Sequence, residues 1–254
     1  MPTRSADSVP AFRQTASIPT MMANRTIRLA SRRLMSGKVD LSVTGQANVP
    51  DSGPVVLAAR HYHHLFDGTS IVTTLSRPLR VMVALDWVNA GPQRRIAESL
   101  CSVAGWPVVL RPEAERYRPE LAADAARTAT YQRDTTRYLK RAAVQSVEIL
   151  SRGEALLMFP EGYPNIDPSF TPKSDRNDDY LPTLPGAVRI PLLAQASGLP
   201  LIPIVPVGLH YRRTGDDRWA VQLRFGEPLY VERRRAAREA VDRLGAAIRE
   251  LSAE

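Results

Sequence analysis

From residue 54 onward, short apolar runs alternate with longer stretches of helical period, and no other feature of the chain limits its fold so tightly. Strands are read at residues 54–59, 80–85, 106–110, 155–159, 201–209 and 220–225, and helices at 67–75, 92–103, 126–151, 186–197 and 231–251. The run Pro54-Val55-Val56-Leu57-Ala58-Ala59 has no polar face to offer water, so it reads as a buried strand. In residues 126–151, Leu139, Ala143, Val147 and Leu150 share one helical face, and Gly153 follows where glycine favours a helix end. Residues 231–251 carry a second stripe of Ala237, Val241, Leu244, Ile248 and Leu251. Pro191 is expected to perturb the early turns of its helix. Strands separated by helices predict an α/β fold, a largely parallel or mixed sheet flanked by helices. With 44% hydrophobic residues in 254, a single such domain over residues 37–254 has enough apolar content for its core.

Residues 1–36 read differently. No acid occurs between Ser8 and Val39, whereas Arg13, Arg25, Arg28, Arg32, Arg33 and Lys38 are all basic. Prolines, serines and threonines predict disorder at the start, and residues 21–36 predict a helix with Met22, Ile27, Leu29 and Leu34 among its apolar members. Such a helix suits an anionic membrane surface, where each basic residue contributes roughly 1 kcal/mol. A solvated leader packed on the domain is the other reading, and arginine-rich, acid-poor leaders also resemble organelle transit peptides. The net charge of +8 favours an anionic partner. No run approaches the ~20 apolar residues of a membrane span. One cysteine, Cys101, excludes an internal disulfide framework and fits a reducing compartment. Aromatic content of 6% and the lack of a recognition motif argue against nucleic acid. Residues 163–185 hold five prolines (Pro164, Pro168, Pro172, Pro182, Pro185) and show no period; a connection this long reads as a lid or binding loop.

In open α/β sheets, chemistry gathers beyond the carboxyl ends of strands. Four stretches occupy such places. Directly after the first strand comes Arg60-His61-Tyr62-His63-His64-Leu65-Phe66-Asp67-Gly68, with three of the four histidines in the chain and an acid close behind. A carboxylate that fixes an imidazole's tautomer and stabilises its protonated form makes a general base, worth ~10²–10⁴-fold in rate. The others are Gly105-Trp106-Pro107-Val108-Val109-Leu110-Arg111, Phe159-Pro160-Glu161-Gly162 and Ile204-Val205-Pro206-Val207-Gly208. Arg111 has the planar fork that grips phosphate, and Glu161 can orient a hydroxyl or pair with a cation.

Taken in this order, the four stretches resemble the motifs of the glycerolipid acyltransferases, which include the lysophosphatidic acid acyltransferases. That family has a histidine and an aspartate with four residues between them, then Gly-x-x-Phe-x-x-Arg, then Phe-Pro-Glu-Gly, then an apolar strand with a Val-Pro-Val-like core. Gly105, Val108 and Arg111 match the second motif with Val for Phe; residues 159–162 match the third without change; Pro203 to Val207 resembles the fourth. The resemblance covers residues 45–208. It implies an α/β acyltransferase that moves a fatty acyl group from acyl-CoA or acyl carrier protein to a hydroxyl of a glycerol phosphate or lysophospholipid, with no cofactor or metal. The implied catalytic residues are His61 or His63 with Asp67, and the implied substrate-binding residues are Gly105, Arg111, Glu161 and Gly162. A lipid substrate and the basic helix together place the protein, as an expectation, on the inner face of the cytoplasmic membrane as a peripheral protein.

Two departures from the family pattern stand out. Tyr62 occupies the position that the usual spacing gives to histidine, so His61 lies one residue too far from Asp67 and His63 one too near. Aligning from the strand selects His61, and aligning from the helix leaves His63, at i, i+4 from Asp67. After Gly162 the family commonly continues Thr-Arg-Ser, whereas this chain has Tyr163-Pro164-Asn165. Two other readings compete. One is a non-catalytic lipid-binding relative. The other is a metal-dependent hydrolase built on His61-x-His63, for which His210 is the only histidine outside the 60–68 stretch and Cys101 is solitary.

Overall fold

The structure, a computed structural model, describes residues 18–88, 90–112, 123–166, 179–232 and 234–254. The expected disorder at the chain start and most of the predicted 163–185 loop lie outside these residues. β2 (Val55–Ala59) is the strand around which the sheet is built, and all its residues are buried. It pairs in parallel with β6 (Ala155–Met158) on one side and β7 (Ile204–Gly215) on the other. β3 (Leu79–Val81) lies beyond β6. Beyond β7 come β8 (Arg218–Phe225) and β1 (Val39–Thr44), completing the order β1-β8-β7-β2-β6-β3. Only β7 and β8 run antiparallel, so the sheet is mixed and mostly parallel. A small second sheet pairs β4 (Val83–Ala84) with β5 (Val108–Val109) in parallel.

Helices cover both faces, which is why β2 carries no polar side chain. The period of two sends Val56 and Ala58 to one face, where they meet α4 (Ala125–Ser151), α5 (Gly186–Ala196) and α6 (Ala237–Ser252) through Leu150, Leu192, Leu244 and Ile248. Val55, Leu57 and Ala59 face the opposite way, against Ile71 and Leu75 of α2 (Phe66–Thr74) and its approach to β3. Fully burying each of these valine, leucine and isoleucine side chains contributes about 1.5–3 kcal/mol. A third small core of Leu85, Cys101, Leu110 and Tyr131 joins the second sheet to α3 (Pro92–Ala104) and α4.

Several boundaries differ from expectation for physical reasons. The predicted strand 80–85 divides at Met82: the Met82 N–H still bonds Leu157 of β6 at 2.9 Å, but the next N–H, on Val83, goes to Pro107 beside β5 at 2.9 Å. The strand predicted to stop at Leu209 continues to Gly215, because β8 supplies a hydrogen-bonding partner for its polar end. The last helix starts at Ala237 rather than 231, since Leu229 bridges to Ile204 and Val231 packs in the core ahead of it. Pro191 sits inside an unbroken α5. α1 (Ile18–Met35) packs against α2 and α3, burying Ser31 and Met35. The Arg28 guanidinium of α1 donates to the carbonyls of Leu75, Ser76 and Arg77 at the end of α2. Met21, Met22 and Leu29 on its outer face are exposed.

Candidate active site

The chain leaves β2 with the Arg60 N–H still bonded to Val207 at 2.9 Å, then loops over residues 61–65 into α2. Asp67 stands in the first turn of that helix with no solvent exposure. The loop is wrapped around its carboxylate. Oδ2 accepts from His61 Nδ1 at 3.0 Å, from the Tyr62 N–H at 2.7 Å and from the His63 N–H at 2.9 Å. Oδ1 accepts from the Tyr211 hydroxyl at 2.5 Å. A buried carboxylate demands such a set of donors, and here backbone, imidazole and phenol each supply part.

The two histidines have opposite hydrogen-bonding roles. Because Nδ1 of His61 donates to Asp67, its Nε2 carries the free lone pair. The ring is stacked on Phe159 at 4.5 Å, and its side chain is 17% exposed, so Nε2 can be reached. His63 turns its ring away from the carboxylate. Its Nδ1 accepts the Leu65 and Phe66 N–H groups, at 3.2 and 3.4 Å, satisfying donors at the start of α2 that no other side chain caps. With Nδ1 accepting, the proton of a neutral His63 must sit on Nε2. Burial, then the neighbouring His64, push His63 down to about 4. At neutral pH His63 therefore has no lone pair left with which to take a proton. His64 is exposed and stacks on His63 at 4.8 Å. Tyr62 contributes its N–H to Asp67 and stacks its ring on Tyr211, so the extra residue between His61 and Asp67 is taken up by the turn around the carboxylate.

The third stretch lies against this loop. The Asn165 and Ile166 N–H groups bond the carbonyls of His61 and Tyr62, at 2.9 and 2.8 Å. Glu161 is buried, and its Oε2 has no hydrogen-bond partner among the described residues. Burial pushes its carboxyl up to about 7, against the opposing pull of the Arg60 charge and the Leu181 and His61 backbone donors; Asp67 adds to the rise. Arg60 is itself buried, bonded to the carbonyls of Leu209 at 3.0 Å and Asp179 at 3.1 Å, with Tyr180 and Tyr62 rings at 4.3 and 5.0 Å.

Arg111 and Asp86 meet because β4 and β5 run in parallel and end side by side. Arg111 Nε and Nη2 bind the Asp86 carboxylate at 2.9 and 2.6 Å, Nη1 donates to the Gly162 carbonyl at 2.6 Å, and the guanidinium lies 3.7 Å from the Tyr163 ring centre. Three of its five N–H groups are thus engaged, and the pair carries no net charge. Gly162 has φ 77°, a left-handed turn that glycine adopts without strain, and this turn aims its carbonyl at Arg111. Gly105 has φ 70° and ends α3; a side chain there would come within 2.9 Å of Arg80 Nη1. Its contacts are with Arg80 rather than with the His61–Asp67 pair.

Of the residues singled out from the sequence, His61, Asp67, Glu161 and Gly162 come together, Arg111 joins them through Gly162, and Gly105 stands apart as a helix terminator. Asp86, Arg60 and Tyr211 were missed. Asp86 directly follows an apolar run, so the strand-end criterion could have found it. Tyr211 lay past the predicted end of its strand and had no local signal. Among the described residues, no cluster of His, Cys, Asp or Glu is placed to hold a metal ion, and no helix is long and apolar enough to cross a membrane.

The Acyltransferase family profile matches residues 40–210, more than half of the chain and the span that contains all four stretches. The chain belongs to this acyltransferase family, as the order of its motifs had indicated. Among solved structures it is similar to the 1-acyl-sn-glycerophosphate (LPA) acyltransferase PlsC from Thermotoga maritima, with a TM-score of 0.54 and 16% identity over 92% of this chain and 82% of that one. At that identity the likeness is one of fold. No curated protein sequence matches.

Proposed function

We propose that the protein transfers a fatty acyl group from a CoA or acyl-carrier-protein thioester to a hydroxyl of a glycerol phosphate or lysophospholipid, in phospholipid synthesis or remodelling. The observation that carries this reading is the 3.0 Å contact between His61 Nδ1 and Asp67 in a chain of the acyltransferase family, with the other imidazole nitrogen unpartnered among the described residues. His61 Nε2 takes the proton of the acceptor hydroxyl as its oxygen attacks the thioester carbonyl. Asp67 holds the ring and stabilises the imidazolium. The tetrahedral intermediate then collapses, the carbon–sulfur bond breaks, and the imidazolium returns its proton to the departing thiolate. No acyl-enzyme is formed. Glu161 and Gly162 flank the acceptor. Arg111 first holds Asp86, Gly162 and Tyr163 together, and two N–H groups remain for an acceptor phosphate.

The test is transfer of radiolabelled acyl groups from both thioester classes to lysophosphatidic acid and, in parallel, to monoacylglycerol. His61→Ala and Asp67→Ala should each lower kcat by ~10²–10⁴-fold, while His63→Ala keeps its activity per folded molecule. Full activity in His61→Ala refutes the assignment, and inactivity of the parent with every donor points instead to a non-catalytic lipid binder.

Peripheral attachment to the cytoplasmic face of a membrane is part of the same proposal. Met22 and Leu29 are 66% and 67% exposed on α1, in a helix that also exposes Arg25 and Arg32. Removing residues 1–36 would strip Arg28 from the end of α2, so surface substitutions are the better probe. Met22→Ser with Leu29→Ser should weaken sedimentation with anionic vesicles; unchanged partition sinks the attachment.

A further inference from the structure

Tyr211 belongs to none of the four motif stretches. Pairing between β2 and β7 ends with Ala59 opposite Val207, yet β7 runs on because β8 takes over its hydrogen bonds, with Tyr211 opposite Val221. Side chains alternate along the strand, so Val207, Leu209 and Tyr211 project from the same face. By Tyr211 the strand has passed the end of β2 and reached the loop that leads into α2. There its ring stacks on Tyr62 at 4.7 Å and meets Trp219 edge-on at 5.7 Å. Trp219 also meets the Tyr62 and His63 rings edge-on, at 6.3 and 6.1 Å, closing an aromatic box over one side of Asp67.

The orientation of the phenol within this box is specific. It donates to Asp67 Oδ1, while His61 and two backbone N–H groups occupy Oδ2. We propose that Tyr211 is a positioning residue for the His61–Asp67 pair: its hydroxyl fixes the second carboxylate oxygen and sets how strongly Asp67 draws on the imidazole. This rests on His61 being the base. Burial, reinforced by the Asp67 charge, raises the ionisation of the phenol well above its ordinary range, so it remains a donor throughout neutral pH. Without it, Oδ1 would be a fully buried oxygen deprived of the phenol's hydrogen bond, and more of the carboxylate's charge would fall on its contacts at Oδ2. Among the described residues, the other charged or titratable groups that face the pair are Arg60 and Tyr62 on the strand exit, His63 on the loop and Glu161 from the end of β6.

Tyr211→Phe keeps the ring contacts and removes only the donor. The imidazolium that forms during catalysis should then be stabilised more strongly by Asp67, moving the acid limb of the kcat/KM profile to higher pH by about half a unit to one unit. Looser placement of the base should lower kcat roughly tenfold with KM nearly unchanged. The His61 Nδ1 proton resonance should move downfield, a signature that needs no turnover. Fluorotyrosine at position 211, a stronger donor of nearly the same size, should move limb and resonance the opposite way, and it decides the matter if the Phe variant does not fold. An unchanged profile and an unchanged imidazole resonance in folded variants overturn the proposal. If the parent transfers no acyl group, the resonance still tests Tyr211, while the acyltransfer reading fails separately.

Discussion

Glu161→Gln tests the electrostatics of the site through stability. Burial raises the Glu161 carboxyl from 4.5 to about 7, so the folded protein prefers the neutral acid. Below the lower value both folded and unfolded chains are protonated and nothing is lost. As pH rises from 4.5 to about 7, the unfolded carboxyl ionises while the folded one resists, and the folded state loses stability. Over that interval, at 1.36 kcal/mol for each unit, the loss amounts to about 3 kcal/mol. His63 works in the opposite direction. Its value falls from 6.5 to about 4, so the folded state loses stability as pH drops through that range, when the unfolded imidazole takes up a proton and the buried one does not. In the overlap the two slopes oppose, and the parent should show a flat response there. The glutamine is neutral at every pH and removes only the first slope. Relative to the parent, the variant should therefore gain stability from near pH 4 to near pH 8 by about 3 kcal/mol, whatever constant offset the amide introduces. Urea unfolding followed by tryptophan fluorescence at a series of pH values measures this. A difference between the two proteins that stays constant across the interval refutes the reasoning.

The cap at the start of α2 predicts that His63→Ala lowers stability by about 1 kcal/mol whereas His63→Asn, which offers another side-chain acceptor, loses less; thermal unfolding distinguishes them. Asp86→Asn removes the charge that faces the Arg111 fork and should destabilise by roughly 2–3 kcal/mol in urea unfolding. If the two remaining N–H groups of Arg111 serve a phosphate, the same variant should alter KM for lysophosphatidic acid more than KM for monoacylglycerol. Gly208→Ala would set a methyl 2.4 Å from the Leu251 backbone where α6 crosses β7, and should cost about 2–3 kcal/mol or more by differential scanning calorimetry.

Much of the architecture is legible in the chain because it depends on local pattern. A strand buried on both faces must be apolar at every position, and 54–59 says so without ambiguity. A long amphipathic helix such as α4 shows its face over many turns. β1, by contrast, was not anticipated: its burial alternates between half-buried and exposed, as an edge strand's does, and Val39-Asp40-Leu41-Ser42-Val43-Thr44 carries that period-two signal only faintly beside the basic segment before it. The polar end of β7 was missed for a related reason, since its strand character comes from pairing with β8 rather than from its own side chains.

The sequence by itself determined the α/β class, the order of the four motifs and the presence of histidines and an acid at the exit of the first buried strand. Those are properties of composition and spacing. Tertiary structure alone decided which imidazole meets the carboxylate, because that depends on which N–H groups the folded loop brings to each ring: Asp67 draws the Nδ1 proton of His61, and the start of α2 occupies Nδ1 of His63. It also decided that the Arg111 fork is already held by Asp86, and that a phenol 144 residues distant completes the Asp67 carboxylate. Hydrogen bonds are directional and short, and spacing along the chain does not record which groups the sheet will carry to within 3 Å of one another.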